Sequence, residues 1–281
     1  MAKGGVLKRL TTFYRSRTEY PVVSVVRMQG MISSSRGPDN FSLESLRKKI
    51  DEAFEADRLA AVLVSVNSPG GSPAQCDLIT NYLAMKAAKK KVNVTMFVED
   101  VAASGGYWIA CAGHEVFATK SSIIGSLGVI YGGLGFTDLI KKIGVERRVL
   151  SAGENKALMD PFLPLQDDHV EIVKKMLSST HQVFIDHVKK NRGNKLTGSD
   201  AELFNGAVWT GEPAVQLGLV DGIDTVDDFI VRNFGEKVKV NRPKSKIQEI
   251  QEMFGSRYPT SMLDLVQREQ AKSIQSTSLF A

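Results

Sequence analysis

The chain has 281 residues, of which 43% are hydrophobic and 24% are charged. This length suits one large α/β domain or two small ones, and the composition is that of an ordinary globular protein. The only cysteines are Cys76 and Cys111, and no CxxC pair is present, which argues against a disulfide framework and a structural zinc site. No apolar run reaches the roughly 18–20 residues that a bilayer-spanning helix needs. We therefore predict no transmembrane segment, although association with a membrane surface stays open.

The net charge of +5 is concentrated near the N-terminus, where Lys3, Lys8, Arg9, Arg15 and Arg17 face a single acid. Two interpretations of residues 1–20 stay open: an organellar, for example mitochondrial, targeting segment, or a solvated basic arm. The compartment therefore stays open between the cytoplasm and an organelle. Acidic residues are mixed in along the rest of the chain, so nucleic-acid binding is not expected.

The first third of the chain alternates apolar runs with segments of helical spacing. The stretch from Pro21 to Ile32 predicts a buried strand followed by a short second strand. Apolar residues from Leu43 to Phe54 recur at helical spacing. The run from Ala60 to Val66 has no polar alternation, which is typical of a parallel strand covered on both faces.

The same alternation continues through the middle of the chain and predicts an α/β fold with a largely parallel sheet. A strand is expected at residues 145–150, "VERRVL", and a long amphipathic helix from Asp167 to a stop at Gly193. Apolar patterning weakens after about Lys237. We therefore divide the chain into a basic N-terminal extension (1–20), a main domain (21–236) and a C-terminal tail (237–281), which is either peripheral or docked on another subunit.

Two glycine motifs follow predicted strands. "NSPGG", Asn67 to Gly71, ends one strand in a sharp turn whose amides can point outward. In "VAASGGYW", a helix that begins at Ser104 would place its hydroxyl at the positive end of the helix dipole. Gly105 and Gly106 leave room for a substrate carbonyl, and the Gly105 N–H is unpaired in the first turn. Ser104 is thus a candidate nucleophile; the alternative is a simple N-cap.

A serine nucleophile needs a base. His114 lies roughly 15 Å from Ser104 along the predicted helix at about 1.5 Å per residue, and the other three histidines fall on a helix with a solvent-facing pattern. Lys156 in "SAGENK" is the other candidate. Since a free lysine has a pKa of about 10.4, it must be buried, for example against Leu158 and Met159, to accept a proton at neutral pH. Ser126 in "IGSLGV" would hold the amine.

The motifs "NSPGG", "VAASGGYW", "IIGSLGVI" and "SAGENK" occur in the order found in the signal peptide peptidase A and SohB family of serine peptidases. Similarity continues through "THQVFIDHVKKNR" and "VWTGEPAVQLGLVDGIDTVDDFI", and the sequence most resembles SohB. This similarity to the family covers about residues 22–235.

The resemblance implies the Clp protease and crotonase fold of repeated β-β-α units and serine endopeptidase activity through a Ser/Lys dyad. Within it, Ser104 is the nucleophile, Lys156 the base and Ser126 the lysine-positioning residue, and the amides of Gly70 and Gly105 form the oxyanion hole. It also implies peptide substrates, including signal-peptide remnants, a homo-oligomer and no metal or organic cofactor.

Two departures from the family and two alternatives accompany this interpretation. The family's N-terminal apolar anchor is not evident, and Asp160 lies four residues after Lys156. Since a carboxylate facing the amine would raise the pKa of the lysine, we expect Asp160 to point away. A crotonase-like acyl-CoA enzyme and a non-catalytic peptide-binding scaffold remain alternatives.

Overall fold

The computed structural model describes residues 20–35, 37 and 39–244. The predicted basic extension, apart from Tyr20, and the predicted tail beyond Lys244 lie outside the described residues. Within the described part of the chain, no helix combines the length and the apolar character needed to cross a membrane.

The centre of the fold is a parallel sheet, as the alternating pattern predicts. Numbered in chain order and given in spatial order, its strands are β10 (Lys239–Asn241), β1 (Val22–Gln29), β4 (Leu59–Ser68), β5 (Val94–Ala103), β6 (Glu115–Ala118) and β9 (Gly222–Ile223). Strand β7 (Ile123–Gly125) pairs in parallel with the end of β5, and β8 (Val208–Trp209) pairs antiparallel with β7. Strands β2 (Met31–Ile32) and β3 (Asn40–Phe41) form a separate parallel pair.

Eight α-helices are present in the described residues. They are α1 (Leu43–Phe54), α2 (Pro73–Lys90), α3 (Gly105–Ala110), α4 (Thr137–Lys142), α5 (Asp167–Arg192), α6 (Asp200–Leu203), α7 (Gly211–Gln216) and α8 (Val226–Phe234). Sequence-encoded caps set several starts: Ser42 and Ser45 form a capping box on α1, and Ser72 caps α2 directly before a proline. Helix α5 ends before Gly193, as predicted.

The sheet is covered on both faces, which explains the unbroken apolar runs in β4 and β5. On one face, Val64, Met96 and neighbouring side chains pack into the main core with α1, α2, α3 and α5. On the other face, Leu63 and Phe97 pack against Phe229 of α8 in a smaller core. Successive residues of one strand therefore pack into cores on opposite faces of the sheet.

A buried ion pair ties the end of α5 to the loop before β9. Arg192, only 2% exposed, donates to the carboxylate of Asp221 at 2.7 Å. Desolvation by itself raises the pKa of Asp221. Hydrogen bonds from Arg192, Lys195 and the Val116 N–H outweigh that effect, so its pKa lies below the ordinary value.

The predicted strand at residues 145–150 is wrong. These residues form no strand, and all six are exposed. From Gly128 to Asp168, no residue is buried, and even large apolar side chains are open to solvent: Ile130 is 90% exposed and Leu150 is fully exposed. The apolar pattern that suggests a strand has no neighbouring strand or core to cover it within the described chain.

Candidate active site

Ser104 lies between the end of β5 and the start of α3. Its backbone has φ 51° and ψ −120°, a conformation that residues with a side chain rarely adopt. Its N–H donates to the carbonyl of Gly125 at 2.7 Å, and its carbonyl accepts from the N–H of Trp108 at 3.0 Å. Strained backbone that is held by such contacts is characteristic of functional sites.

The hydroxyl of Ser104 makes no capping hydrogen bond to α3. The alternative that Ser104 is only an N-cap therefore does not hold. The residue is half-buried, and the six-residue helix α3 begins directly after it. Its hydroxyl is therefore not occupied by a capping bond, and it lies beside the first-turn amides of α3, which have no acceptor within the helix.

Glycines surround Ser104 because the backbones approach too closely for a side chain. A Cβ on Gly70, whose φ is +114°, would lie 2.9 Å from the Cβ of Ser104 and 3.0 Å from the amide nitrogen of Gly105. A Cβ on Gly106 would lie 2.4 Å from the carbonyl oxygen of Ser68. The "PGG" and "SGG" motifs are thus required by one packing arrangement.

The residues whose amides are predicted to form an oxyanion hole approach each other, since a Cβ on Gly70 would lie 3.0 Å from the Gly105 amide nitrogen. The Gly105 N–H belongs to the first turn of α3 and has no preceding helical carbonyl to bind. The Gly70 N–H donates to the hydroxyl of Ser68 at 3.2 Å. This distance is at the long end of the N–H···O range, and an anionic acceptor forms a stronger hydrogen bond than a neutral hydroxyl.

Ser126 lies next to this site in a turn of residues 125–128. Its φ is 53°, its side chain is half-buried, and its N–H donates to the carbonyl of Ala207 at 2.6 Å. The preceding Gly125 binds Ser104 through its carbonyl. Four of the five predicted site residues, Ser104, Ser126, Gly70 and Gly105, therefore come together in the structure.

Lys156, the fifth predicted residue, is not brought to the other four by any contact. It lies in a 3-10 turn, Glu154–Ala157, and is exposed. Its amine has no hydrogen-bond or ion-pair partner among residues 20–35, 37 and 39–244. Leu158 and Met159, expected to form an apolar wall, are only partly buried.

Asp160 is bound away from the lysine, in agreement with the expectation. Its carboxylate accepts from the N–H of Phe162 and from the guanidinium of Arg147, both at 2.9 Å. These two hydrogen bonds, the backbone one first, lower the pKa of Asp160. Its negative charge is thus directed to Arg147.

The prediction that the histidines of α5 are surface residues is wrong. His169 is only 8% exposed, and His181 and His187 are half-buried. The Nε2 atom of His181 lies 3.1 Å from the carbonyl oxygen of Leu127, and that of His187 lies 2.9 Å from the carbonyl oxygen of Trp108. None of them hydrogen-bonds to Ser104. Burial lowers the pKa of His187.

Cys76, which no sequence motif connects with Ser104, packs against Gly105. Its sulfur is 3.5 Å from the carbonyl oxygen of Gly105, and a Cβ on Gly105 would lie 2.7 Å from that sulfur. Burial raises the pKa of the Cys76 thiol to about 12, so it is uncharged and unreactive at neutral pH. In the sequence, Cys76 stands out only as one of the apolar residues of α2, and nothing there indicates that it contacts Gly105.

Comparison with known proteins gives one matching family and several relatives. A sequence model described as Peptidase family S49 matches residues 84–241. The chain is 45% identical over 241 residues to a Brucella melitensis protein named Na(+)/H(+) antiporter NhaA, a match that covers 84% of this chain and 32% of that protein. It is 30% identical over 250 residues to the chloroplastic serine protease SPPA of Arabidopsis thaliana, covering 87% of this chain and 36% of that protein.

A Haemophilus influenzae protein named as a SohB protease is 29% identical over 211 residues, covering 75% of this chain and 59% of that protein. The chain thus spans about a third of the length of the Brucella and Arabidopsis relatives.

A solved structure of a mutant 1510-N membrane-bound stomatin-specific protease has a TM-score of 0.51 and 17% identity, covering 81% of this chain and 99% of that chain. This likeness confirms the predicted α/β fold. The family match covers more than half of the chain and includes Ser104, Ser126 and Lys156. The chain belongs to peptidase family S49.

Proposed function

We propose that this chain is a serine endopeptidase that hydrolyses peptides through a Ser104–Lys156 dyad. The observation that supports this most strongly is the geometry of Ser104. Its free hydroxyl stands on strained backbone at the start of α3, and the backbone of Gly70 packs closely against Ser104 and the Gly105 amide. A nucleophile and two converging amide donors are what acyl transfer requires.

In the proposed reaction, the neutral amine of Lys156 accepts the proton of Ser104 as its oxygen attacks the scissile carbonyl. The N–H groups of Gly70 and Gly105 stabilise the resulting oxyanion, and the Gly70 amide exchanges its long contact with Ser68 for this one. Lys156 then passes the proton to the leaving amine. A water molecule deprotonated by Lys156 hydrolyses the acyl-enzyme. Ser126 would hold the amine between these steps.

This chemistry needs a desolvated lysine, since an exposed amine stays protonated at neutral pH. Lys156 is exposed in the single chain. We therefore propose that the active form is a homo-oligomer in which a second copy covers the segment from Gly128 to Asp168. The highly exposed apolar side chains of that segment, among them Ile130, Leu134 and Leu150, support this, because large apolar patches mark interfaces.

The substrates we propose are extended peptides, including signal-peptide remnants and unfolded chains. The antiporter name of the Brucella relatives is not carried over, because the match covers 32% of those proteins. The protease names of the Arabidopsis and Haemophilus relatives support the peptidase assignment.

A fluorophosphonate probe tests the nucleophile and a peptide library tests the activity. We expect one probe molecule per chain, attached to Ser104, and no labelling of Ser104→Ala. Ser104→Ala and Lys156→Met should each lower kcat by roughly a thousandfold or more. Ser121→Ala, which changes an exposed serine, is the matched control.

The assembled protein should be used, at concentrations where light scattering reports an oligomer. Hydrolysis that survives in Ser104→Ala would reject the nucleophile. An assembled wild type that binds peptides without cleaving them would favour the scaffold alternative, and turnover of acyl-CoA thioesters would favour the crotonase-like one.

A further inference from the structure

One side chain of α5 that the proposed mechanism does not use contacts the residue directly after Ser126. The Nε2 atom of His181 lies 3.1 Å from the carbonyl oxygen of Leu127, 54 positions away in sequence. A carbonyl oxygen only accepts, so the ring nitrogen donates, which fixes a tautomer with the proton on Nε2 or the doubly protonated ring. Leu127 directly follows Ser126 and is fully buried.

The turn of residues 125–128 begins at the end of β7, where Gly125 pairs with Ala103 of β5 and with Val208 of β8. Both Gly125 and Ser126 have positive φ, of 119° and 53°. The carbonyl of Gly125 binds the N–H of Ser104, and the N–H of Ser126 binds the carbonyl of Ala207. The N–H of Gly128 also binds the carbonyl of Ser126. The ring of His181 adds a side-chain anchor that comes from α5.

The position of His181 on α5 makes this anchor rigid. Phe184, one helical turn further on, is 2% exposed and stacks on Trp108 with ring centroids 4.9 Å apart. Val188, two turns on, is fully buried. His181 therefore lies on the stripe of α5 that packs against the nucleophile's own helix, so α5 bridges α3 and the Ser126 turn.

We propose that His181 is a positioning residue for the reaction. By holding the Leu127 carbonyl, it fixes the Ser126 turn, and thus the hydroxyl that would bind the lysine amine and the carbonyl that binds Ser104. This inference rests on the proposed dyad function. Without the imidazole, the carbonyl of Leu127 loses a partner and the strained turn can relax, which displaces the Ser126 hydroxyl.

Three variants separate this role from simple packing. His181→Phe keeps a ring of similar size without a donor, and His181→Gln keeps a donor at a similar reach. His114→Phe makes the same change at an exposed histidine after α3. We expect His181→Phe to lower kcat by roughly tenfold to a hundredfold with KM nearly unchanged, since small displacements of a catalytic group have effects of this size.

His181→Gln should recover most of the loss, and His114→Phe should match the wild type. Equal losses in the Phe and Gln variants, or a kcat for His181→Phe within about twofold of the wild type, would overturn the proposal.

Amide hydrogen exchange provides a readout that does not depend on hydrolysis. Exchange in residues 123–129 should become faster in His181→Phe and return towards the wild-type rate in His181→Gln, while exchange in β1 and β4 stays unchanged. Unchanged exchange in residues 123–129, or a uniform increase over the whole chain, would contradict the proposal. Failure of the dyad itself looks different: Ser104→Ala would then hydrolyse peptides as the wild type does.

Discussion

The proposed nucleophile and the proposed base lie in two regions of opposite character. Around Ser104, all six residues of α3 are buried, and the flanking glycines leave no space for a methyl group. Around Lys156, no residue from Gly128 to Asp168 is buried, and a Cβ on Gly144 or Gly153 would meet nothing within 4 Å. The surroundings of Ser104 are a packed core, and those of Lys156 are an open surface.

This difference indicates which half the single chain can organise by itself. The backbone of Ser104, its neighbouring amides and the Ser126 turn are fixed by contacts within the described fold. The amine of Lys156 has no such contacts among the described residues. Since a lysine base needs desolvation, the two regions together favour an enzyme whose activity depends on assembly.

The largest expected effect is on stability and contrasts two stacked phenylalanines. Phe184 is 2% exposed and stacks on Trp108, whereas Phe162 is 37% exposed and stacks on Phe136. Phe184→Ala should lower the free energy of unfolding by about 3–5 kcal/mol, because it leaves a cavity in a packed core. Phe162→Ala should cost under about 1 kcal/mol. Urea denaturation of both variants measures this, and equal losses would show that the exposed segment is packed as firmly as the core.

A second contrast concerns ion pairs. Asp221→Asn leaves Arg192, whose side chain is 1% exposed, without its charged partner, and should cost about 3 kcal/mol. Asp160→Asn should cost less, because the side chain of Arg147 is 46% exposed and keeps its water.

The pKa of Asp221 is lowered in the fold, so its contribution to stability is complete above the unfolded-state pKa of about 3.9. That contribution is lost as the pH falls through the folded-state pKa. Denaturation midpoints between about pH 5 and about pH 2 should therefore fall less steeply for Asp221→Asn than for the wild type, and parallel curves would contradict this.

The third contrast concerns glycines of positive φ. Gly70→Ala would place a methyl group 2.9 Å from the Cβ of Ser104, so we expect a roughly hundredfold loss of kcat, or about 2.7 kcal/mol. Gly144→Ala meets nothing within 4 Å and adds only backbone strain, so it should change stability slightly and activity little. Steady-state kinetics on both variants tests this; a fully active Gly70→Ala would remove that amide from the site.

The smallest expected effect on stability concerns the open region. Leu150→Glu should change the free energy of unfolding by less than about 0.5 kcal/mol, because the side chain is fully exposed. It should nevertheless weaken assembly and lower activity per chain, since a charge would enter the proposed interface. Val183→Glu, at a position 53% exposed on α5, is the matched control. Sedimentation velocity measures the assembly of both variants, and unchanged assembly in Leu150→Glu would place the interface elsewhere.

Much of the fold could be predicted from the sequence because its signals are local. The uninterrupted apolar runs of β4 and β5 indicate strands covered on both faces, and the Gly193 stop ends α5 as expected. The motifs around Ser104, Gly70 and Ser126 identify residues that the structure brings together. Each of these features depends on residues close in sequence.

The errors concern features that depend on distant partners. Residues 145–150 have the apolar pattern of a strand, but a strand also needs a neighbour to pair with, and the described fold offers none. The polar face of α5 dominates its pattern, which predicts surface positions for His181 and His187. The spacing of His181, Phe184 and Val188 on one stripe was the signal that could have corrected this.

Most of the alternation of strands and helices, the sharp glycine turns and the candidate nucleophile follow from the sequence. Three further features appear only in the folded chain: Gly125 holds the Ser104 backbone of positive φ, His181 binds the Leu127 carbonyl, and Lys156 is exposed. The physical reason is that propensity and periodicity act over a few residues, whereas burial and hydrogen-bond partners are set by what the folded chain brings alongside.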